Sequence, residues 1–160
     1  MKLRDKLIER TILVPMQANS KEGAIHELLT HLKSLNILSA TVLLSAHITE
    51  QEIAFTSSAG RGIAYPHSTS VEVDELTCIL GISPKGIDFS SPDGHDCHLI
   101  LLTLSPAYDP TEHRKFISRF QSMIQNPDIR SSLYESETSA EIHNIISQWE
   151  EDDNQIDGLL

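Results

Sequence analysis

The chain has 160 residues, which is the size of one domain. Its 12 Lys and Arg residues are outnumbered by 23 Asp and Glu residues, so the formal net charge is −11. No nucleic-acid partner is expected, because few cations are available to neutralise a row of phosphates. An anionic membrane surface is not expected for the same reason. No direct membrane insertion is expected either, because no apolar run reaches the roughly 18 residues of a membrane span.

The first third of the chain is predicted to be mainly helical. Asn19 and Glu22 have the spacing of a capping box, which marks the start of a helix. Apolar residues then recur every three or four positions, as they do on one face of a helix. The expected elements are a short helix within residues 1–10, a strand at 12–14, a helix from 19 to 36 and a helix from 40 to 54.

The middle of the chain is predicted to form the sheet. Residues 56–62 contain small side chains and two glycines without any periodicity, which predicts a loop. Three apolar runs of strand length follow, and two of them are long enough to be buried strands. The expected strands are residues 63–65, 76–82 and 98–104, with turns at 84–86 and 92–94.

Two more helices are predicted near the C-terminus. Asp109 is expected to be the N-cap and Pro110 the first helical residue of a helix that ends at Asn126. Thr138 and Glu141 form a second capping box, which starts the last helix. Helices that alternate with buried strands predict the α/β class, here a single domain with a small mixed β-sheet sandwiched by helices.

The last eleven residues differ from the rest of the chain in charge. They contain five acidic residues and no Lys or Arg. A run of like charges is typical of a solvated segment. The expected organisation is therefore a folded domain over residues 1–149, followed by a disordered acidic tail over residues 150–160.

The octapeptide at residues 60–67, Gly-Arg-Gly-Ile-Ala-Tyr-Pro-His, contains the candidate reactive group. It places the His67 imidazole at the end of a short strand, after a proline that fixes the backbone. A neutral imidazole is a nucleophile near pH 7, so His67 is chemically able to attack phosphorus and carry a phosphoryl group. Backbone N–H groups of the glycine-bearing loop would stabilise the resulting anion. The alternative is that His67 is an ordinary surface histidine in a turn.

This octapeptide resembles the signature of the type-2 enzyme IIA domains of the bacterial phosphoenolpyruvate-dependent phosphotransferase system. The family includes fructose, mannitol and nitrogen-regulatory members, and the histidine that ends its motif is the phosphorylated one. The resemblance implies that His67 is the phosphoryl acceptor. It also implies that His113, which follows Glu112 early in a predicted helix, is the second active-site histidine and helps to hold the phosphoryl group. The resemblance covers nearly the whole folded chain.

Several positions depart from the family pattern. Gln51 stands where many relatives have an arginine, so an amide replaces a cation that could clamp phosphate. Arg61, which is absent from the usual pattern, is a candidate source of the missing charge. Ser57 stands at the place of a threonine and keeps the hydroxyl. Together with Gly62, these three residues are the predicted phosphate-loop candidates.

The resemblance implies a cytoplasmic phosphocarrier whose partners are proteins and which requires no cofactor. The expected donor is the histidine-containing phosphocarrier protein. The expected acceptor is enzyme IIB of a sugar permease or a regulatory target, and a chain with no fused permease domain favours the nitrogen-regulatory type. The altered residues around His67 leave open a second function, that of a regulatory interaction module in which phosphorylation is vestigial or absent.

Other chemistries are not favoured by the sequence. His95, Cys97 and His98 do not predict a metal site, because strand alternation places Cys97 and His98 on opposite faces and no second Cys/His pair completes a ligand set. Ser57 lacks a Gly-x-Ser-x-Gly elbow, and no loop ends in Gly-Lys-Ser/Thr, so neither a serine hydrolase nor an ATP site is expected. Four further histidines are expected to be partly exposed helix residues: His26, His31, His47 and His143.

Overall fold

The computed structural model describes residues 1–107 and 110–159, and in this part of the chain six helices cover a five-stranded sheet. The strands are β1 (Ile12–Leu13), β2 (Ile63–Ala64), β3 (His67–Thr69), β4 (Thr77–Ile87) and β5 (Cys97–Ser105). The helices are α1 (Leu3–Lys6), α2 (Lys21–Ser34), α3 (Val42–Ala54), α4 (Thr111–Ile124), α5 (Pro127–Glu135) and α6 (Ser139–Leu159).

The sheet is mixed, which confirms the predicted fold class. Its strand order is β1-β4-β5-β2, and β3 also pairs with β5. The central pair β4 and β5 is antiparallel, whereas β1 runs parallel to β4 and both β2 and β3 run parallel to β5. The strands β2 and β3 therefore form two pieces of one edge, and both lie along β5.

Pro66 separates these two pieces of the edge. The sequence predicted that the strand would stop at Pro66-His67, but pairing resumes at once, with His67 opposite Thr103 of β5. A proline has no N–H to donate to a sheet, so it interrupts the ladder without ending it. Its carbonyl still accepts a hydrogen bond from the Thr103 N–H, at 3.1 Å. His67 consequently begins a strand and is held by its backbone.

The two central strands are apolar on both faces because each face is covered by helices. Leu80 and Leu101 belong to the layer that packs against α4 and α6, and Ile79 and Ile100 belong to the layer that packs against α2 and α3. Strand alternation produces this division, since neighbouring side chains point to opposite faces. A near-continuous apolar run is what a doubly covered strand requires.

The predicted helices are present, with small differences at their ends. Ser20 caps α2, one residue after the expected Asn19, and its hydroxyl oxygen accepts a hydrogen bond from the Gly23 N–H at 3.0 Å. Helix α4 begins at Thr111, with Pro110 in the N-cap position; the expected cap, Asp109, lies outside the described residues.

Two local features differ more from the sequence predictions. Asn126 caps the additional helix α5, its side chain accepting a hydrogen bond from the Asp128 N–H, so a signal read as a helix end also starts a helix. The turn expected at residues 84–86 is an irregularity inside β4, where the pairing register shifts between Ile82 and Ile87.

The C-terminal segment is helical rather than disordered, because α6 continues to Leu159. Glu150 is fully buried, and its carboxylate accepts hydrogen bonds from the N–H groups of Leu3 and Arg4, both at 2.9 Å. The Arg119 guanidinium donates to the same carboxylate at 2.7 Å and to Asp153 at 3.2 Å. These donors compensate the negative charge of Glu150, which is one of the acidic residues on which the prediction of a solvated tail was based. Within the described residues, no helix has the length and apolar character needed to cross a membrane.

Candidate functional site

His67 presents one nitrogen to solvent and binds the backbone through the other. Its side chain is exposed at the start of β3, and its Nδ1 lies 3.0 Å from the carbonyl oxygen of Tyr65. A carbonyl oxygen can only accept a hydrogen bond, so Nδ1 carries the proton of the neutral ring. The lone pair is then on Nε2, which is the nucleophilic nitrogen of the site.

His113 lies beside His67, as the resemblance implied. It occupies the first turn of α4, and the two ring centroids are 5.2 Å apart with 32° between the ring planes. Its Nε2 is buried and has no hydrogen-bond partner among the described residues. An unpaired buried polar atom costs about 1–3 kcal/mol, which an incoming acceptor can recover. The ring is therefore placed to bind an anion attached to its neighbour.

The surroundings of His113 favour its neutral form. Burial lowers the pKa of its imidazole from the ordinary 6.5, and the adjacent His67 and Arg114 lower it further. A neutral imidazole still has one N–H to donate. The first turn of a helix also carries partial positive charge, which attracts a phosphoryl group to this position.

A second buried polar atom lies close to the same place in the sheet. The Thr103 hydroxyl belongs to the residue directly opposite His67 in the β3–β5 ladder, and it too is unpaired among the described residues. The side chain is 1% exposed. Sequence reasoning missed this residue, because a threonine within an apolar strand gives no signal of its own.

A groove of about 590 Å³ lies between α3 and His67, and two predicted phosphate-loop candidates line it. Gln51 faces it from the last turns of α3, where its Nε2 is 3.1 Å from the Nε2 of His47. Ser57 lines it as well, but its hydroxyl oxygen accepts a hydrogen bond from the Tyr65 N–H at 2.8 Å. Ser57 thus positions the backbone that precedes His67.

The other two candidates, Arg61 and Gly62, lie at the far end of β2. The Arg61 N–H donates to Asp93 at 3.0 Å, and its carbonyl accepts from the Tyr134 hydroxyl at 2.6 Å. Arg61 and Gly62 form a turn before β2, with φ of 62° and 75°, and neither of them lines the groove. The structure therefore does not bring Arg61 or Gly62 to the groove beside His67.

Gly62 has a structural role at that end. Its φ is +75°, and a Cβ there would lie 2.9 Å from the Tyr134 hydroxyl oxygen. Gly62→Ala is expected to lower the free energy of unfolding by about 2–4 kcal/mol, through backbone strain and displacement of Tyr134. Urea unfolding measures this loss.

Gly94→Ala is the matched control for Gly62→Ala. Gly94 also has a positive φ, of +74°, but a Cβ would meet nothing within 4 Å. Its cost is expected to be about 1–2 kcal/mol, from the backbone alone. Equal losses in the two variants would contradict the packing role of Gly62. If the Gly62→Ala protein is folded but no longer accepts phosphate, Gly62 contributes to phosphate binding after all.

No group of three or more His, Cys, Asp or Glu side chains within residues 1–107 and 110–159 could hold a metal ion. In the sequence His-Asp-Cys-His at 95–98, Cys97 is buried and its thiol contacts the Ser58 hydroxyl at 3.4 Å. The His98 Nδ1 lies 2.8 Å from the carbonyl oxygen of Ser83. These side chains make separate contacts.

Large apolar side chains are exposed along α3 and after β3. Val42 and Leu43 at the start of α3 are more than 80% exposed, as are Phe55 at its end and Val71 beyond β3. Phe55 also lines the groove beside His67. Large exposed apolar side chains near a groove are candidate contacts for another protein. We call these four residues the apolar rim.

A solvent-facing nucleophilic imidazole, paired with a second histidine at a helix N-terminus, defines a site that can receive an anionic group on a histidine. The family described as "Phosphoenolpyruvate-dependent sugar phosphotransferase system, EIIA 2" matches residues 6–149 of this chain. The chain therefore belongs to that family, and this membership supports a phosphocarrier role.

Two curated relatives align with most of the chain. The fructose-specific EIIABC component of the phosphotransferase system of Bacillus subtilis is 28% identical over 148 residues, which are 92% of this chain but 23% of that protein. The chain thus spans about a quarter of the length of that relative. A nitrogen regulatory protein of Bradyrhizobium diazoefficiens is 24% identical over 147 residues, which are 92% of this chain and 95% of that protein.

Solved structures share the fold. The nitrogen regulatory protein IIA-Ntr from Neisseria meningitidis superposes with a TM-score of 0.80 at 23% identity, over 90% of this chain and 98% of its own. Enzyme IIA-mannitol of Escherichia coli, in its complex with phosphorylated enzyme IIB-mannitol, has a TM-score of 0.74 at 18% identity, over 89% of this chain and 98% of its own. These similarities extend to the whole sheet and its helical layers.

Proposed function

We propose that this chain is a phosphocarrier that accepts a phosphoryl group on Nε2 of His67 from the histidine-containing phosphocarrier protein. The single observation that carries the proposal is the hydrogen bond from Nδ1 of His67 to the Tyr65 carbonyl, which leaves Nε2 unprotonated and open to solvent. The unpaired Nε2 of His113, in the neighbouring ring, supports it. Membership of the EIIA family supports it independently.

The transfer exchanges one nitrogen–phosphorus bond for another. The Nε2 lone pair of His67 attacks the phosphorus of the donor phosphohistidine. The donor ring, protonated on its other nitrogen, leaves as neutral imidazole with the electron pair of the broken bond. The His67 ring gains the positive charge that the donor ring loses. Its Nδ1–H donates a hydrogen bond to the Tyr65 carbonyl, which stabilises the charged, phosphorylated ring. No proton has to leave Nδ1 during the transfer.

His113 is proposed to hold the transferred group. Its ring stays neutral near pH 7 because burial lowers its pKa, so it offers an N–H to a phosphoryl oxygen without repelling an approaching cationic surface. A donor aimed at the developing charge is worth more in a partly buried site than in water. His67 is the nucleophile in this scheme, and His113 stabilises the anion.

The apolar rim is the proposed contact surface for the protein partners. The acceptor would be an enzyme IIB or a regulatory target, and the neighbour enzyme IIA-mannitol is known in complex with phosphorylated enzyme IIB-mannitol. We propose the nitrogen-regulatory type, which the 24% identity to the Bradyrhizobium nitrogen regulatory protein over 147 residues supports. Phosphorylation adds about two negative charges beside the rim, which would alter the choice of partner.

Incubation with radiolabelled phosphoenolpyruvate, enzyme I and the histidine-containing carrier tests the proposal. The wild-type chain is expected to become labelled, and His67→Ala to remain unlabelled. His95→Ala is the matched control, because His95 is exposed in a separate loop and its loss is expected to leave labelling unchanged. Equal labelling of wild type and His67→Ala would rule out the carrier role of this residue.

The second candidate function is an interaction module that is not phosphorylated, favoured by an amide at position 51 in the groove. Wild-type protein that takes up no label would support it. Pull-downs with wild type, His67→Ala and the charge-mimicking His67→Asp then separate the two functions. A phosphocarrier that signals is expected to retain different partners in the last two variants, whereas an unphosphorylated module is expected to retain the same set.

A further inference from the structure

Within the described residues, the lining of the groove beside His67 contains no permanently charged cation for a phosphoryl group, and Arg114, the cation that helps to lower the pKa of His113, lies outside this lining on α4. None of the described residues that line the groove is a Lys or an Arg, and two of them, Glu50 and Glu52, are acidic. A phosphohistidine carries about two negative charges, by analogy with other phosphorylated side chains. The lining residues able to compensate that charge are therefore the two histidines. His67 is the residue that carries the phosphoryl group, which leaves His47.

We propose that His47 supplies the missing cation and binds, together with Gln51, the phosphoryl group held by His67. This inference rests on the proposed phosphorylation of His67. It assigns a binding role to His47, for which the sequence predicts only a partly exposed helix histidine. The structure shows it exposed on α3, on the face that lines the groove.

The positions of His47 and Gln51 on α3 support this assignment. The two residues are four positions apart, so they lie on the same face of the helix, one turn above the other. Both line the groove that contains His67. Their side chains already touch, with the two Nε2 atoms 3.1 Å apart. A phosphoryl oxygen that reaches one of them is therefore near the other.

The contact between the two nitrogens also indicates how the pair responds to an anion. An amide NH₂ group can only donate, so the His47 Nε2 is the acceptor of this hydrogen bond. A dianion in the groove favours protonation of a nearby imidazole. Protonated His47 no longer accepts from Gln51, and both side chains become donors. Phosphorylation of His67 thus converts a donor–acceptor pair into two donors for the phosphoryl oxygens.

The other titratable groups around His47 set the pH dependence of this switch. On its own helix, Glu50 is exposed, while Glu52 is buried and accepts a hydrogen bond from the Ser57 N–H at 3.0 Å. Of the two elements packed against α3, β3 contributes His67, whose ring contacts His113 of α4, and α2 contributes no charged or titratable residue to the described lining of the groove. The phosphoryl group on His67 would add negative charge to the groove, and this charge favours the protonated form of a nearby imidazole. Holding of the phosphoryl group is therefore expected to strengthen as the pH falls from about 8 to 6.

The first experiment measures phosphoryl transfer to His67 and the lifetime of the phosphorylated protein between about pH 6 and pH 8. His47→Ala is expected to slow the transfer about five- to tenfold near pH 6.5, the loss of one charge-assisted hydrogen bond, and to differ less at pH 8. His47→Ala combined with Gln51→Arg is expected to regain the rate and to lose the pH dependence. His26→Ala, an exposed histidine on α2, is the matched control and is expected to behave as wild type.

The second experiment uses the wild-type chain alone. The His47 ring is followed by NMR as the pH is varied, before and after phosphorylation, and its titration is expected to move to higher pH in the phosphorylated protein. A His47→Ala variant that matches wild type at every pH, or a titration that phosphorylation does not move, would overturn the role of His47. In both cases the proposed phosphorylation of His67 would be unaffected. A wild-type protein that takes up no label would instead overturn the proposed function itself.

Discussion

Glu150→Ala is expected to lower the free energy of unfolding by about 3 kcal/mol, since it breaks a buried, charge-assisted cluster. The Glu150 carboxylate is fully buried, and it accepts two backbone hydrogen bonds from the first turn of α1 and one from Arg119 of α4. Removing it leaves two N–H groups and a guanidinium without their acceptor. Arg119 retains Asp153 and its packing on Trp149, 5.0 Å from the ring centre, which limits the loss. Urea unfolding at fixed pH measures the change.

The neighbouring residue provides the control. Glu151 is largely exposed and pairs with Arg4 at 3.4 Å, so Glu151→Ala is expected to change stability by no more than about 0.5 kcal/mol. Glu150→Gln keeps an acceptor oxygen but loses the charge, and an intermediate loss is expected. Stabilities of Glu150→Ala and Glu151→Ala that agree within error would show that the buried carboxylate does not join α6 to the N-terminus.

The Glu150 carboxylate also shows why the structure of the C-terminal segment could not be predicted from local sequence patterns. Residues 150–157 contain five acidic residues and no Lys or Arg, and this local excess of like charge predicts a solvated tail. The groups that compensate Glu150 are Leu3, Arg4 and Arg119, which are 147, 146 and 31 residues away. Helix α5 was missed for a different reason. Leu133 is the one fully buried apolar side chain within it, so no periodic stripe marks it.

What the sequence did predict depends on patterns within one element. Helix α2 has an apolar residue at every position that faces the sheet, and β4 and β5 are apolar because both faces are covered. Pro66 divides the edge of the sheet into β2 and β3, which both pair with β5. A proline in the sequence predicts the interruption, but it does not predict that the strand resumes after it.

The candidate site shows the difference between closeness in sequence and closeness in space. Arg61 is six residues from His67 but lies in the turn before β2, where its backbone is hydrogen-bonded to Asp93 and Tyr134, and it does not line the groove. His47 is twenty residues from His67 and shares its groove. The His67–His113 pair, by contrast, was placed correctly by the family resemblance, since the strand and helix that bear them are neighbours in the fold. The roles assigned to these residues stay predictions.

His113→Ala is expected to slow phosphoryl transfer to His67 by about 10²–10³-fold, the usual effect of removing one donor aimed at developing charge. The reason is geometric, since the ring centres are 5.2 Å apart and the buried Nε2 of His113 has no partner among the described residues. Single-turnover transfer from the phosphorylated carrier measures the rate. His113→Gln retains an N–H donor and is expected to recover part of it. A His113→Ala rate within about twofold of wild type would place the anion-binding function elsewhere.

The lowered pKa of His113 gives the same substitution a second, independent readout. Burial is its main cause, and it makes the folded protein resist protonation at a pH where the unfolded chain, with its pKa of 6.5, accepts a proton. Stability from this residue is therefore present above about pH 6.5 and is lost as the pH falls through the folded value. His113→Gln has no such group, so its stability is expected to vary less over this range.

Phosphorylation of His67 places a dianion beside the ring and favours the protonated form, so phosphorylated wild type is expected to lose less stability in acid than the free protein. Urea unfolding of wild type, phosphorylated wild type and His113→Gln at about pH 8 and pH 5.5 tests both statements. An acid loss that is the same in all three would show that His113 does not couple folding to the bound group.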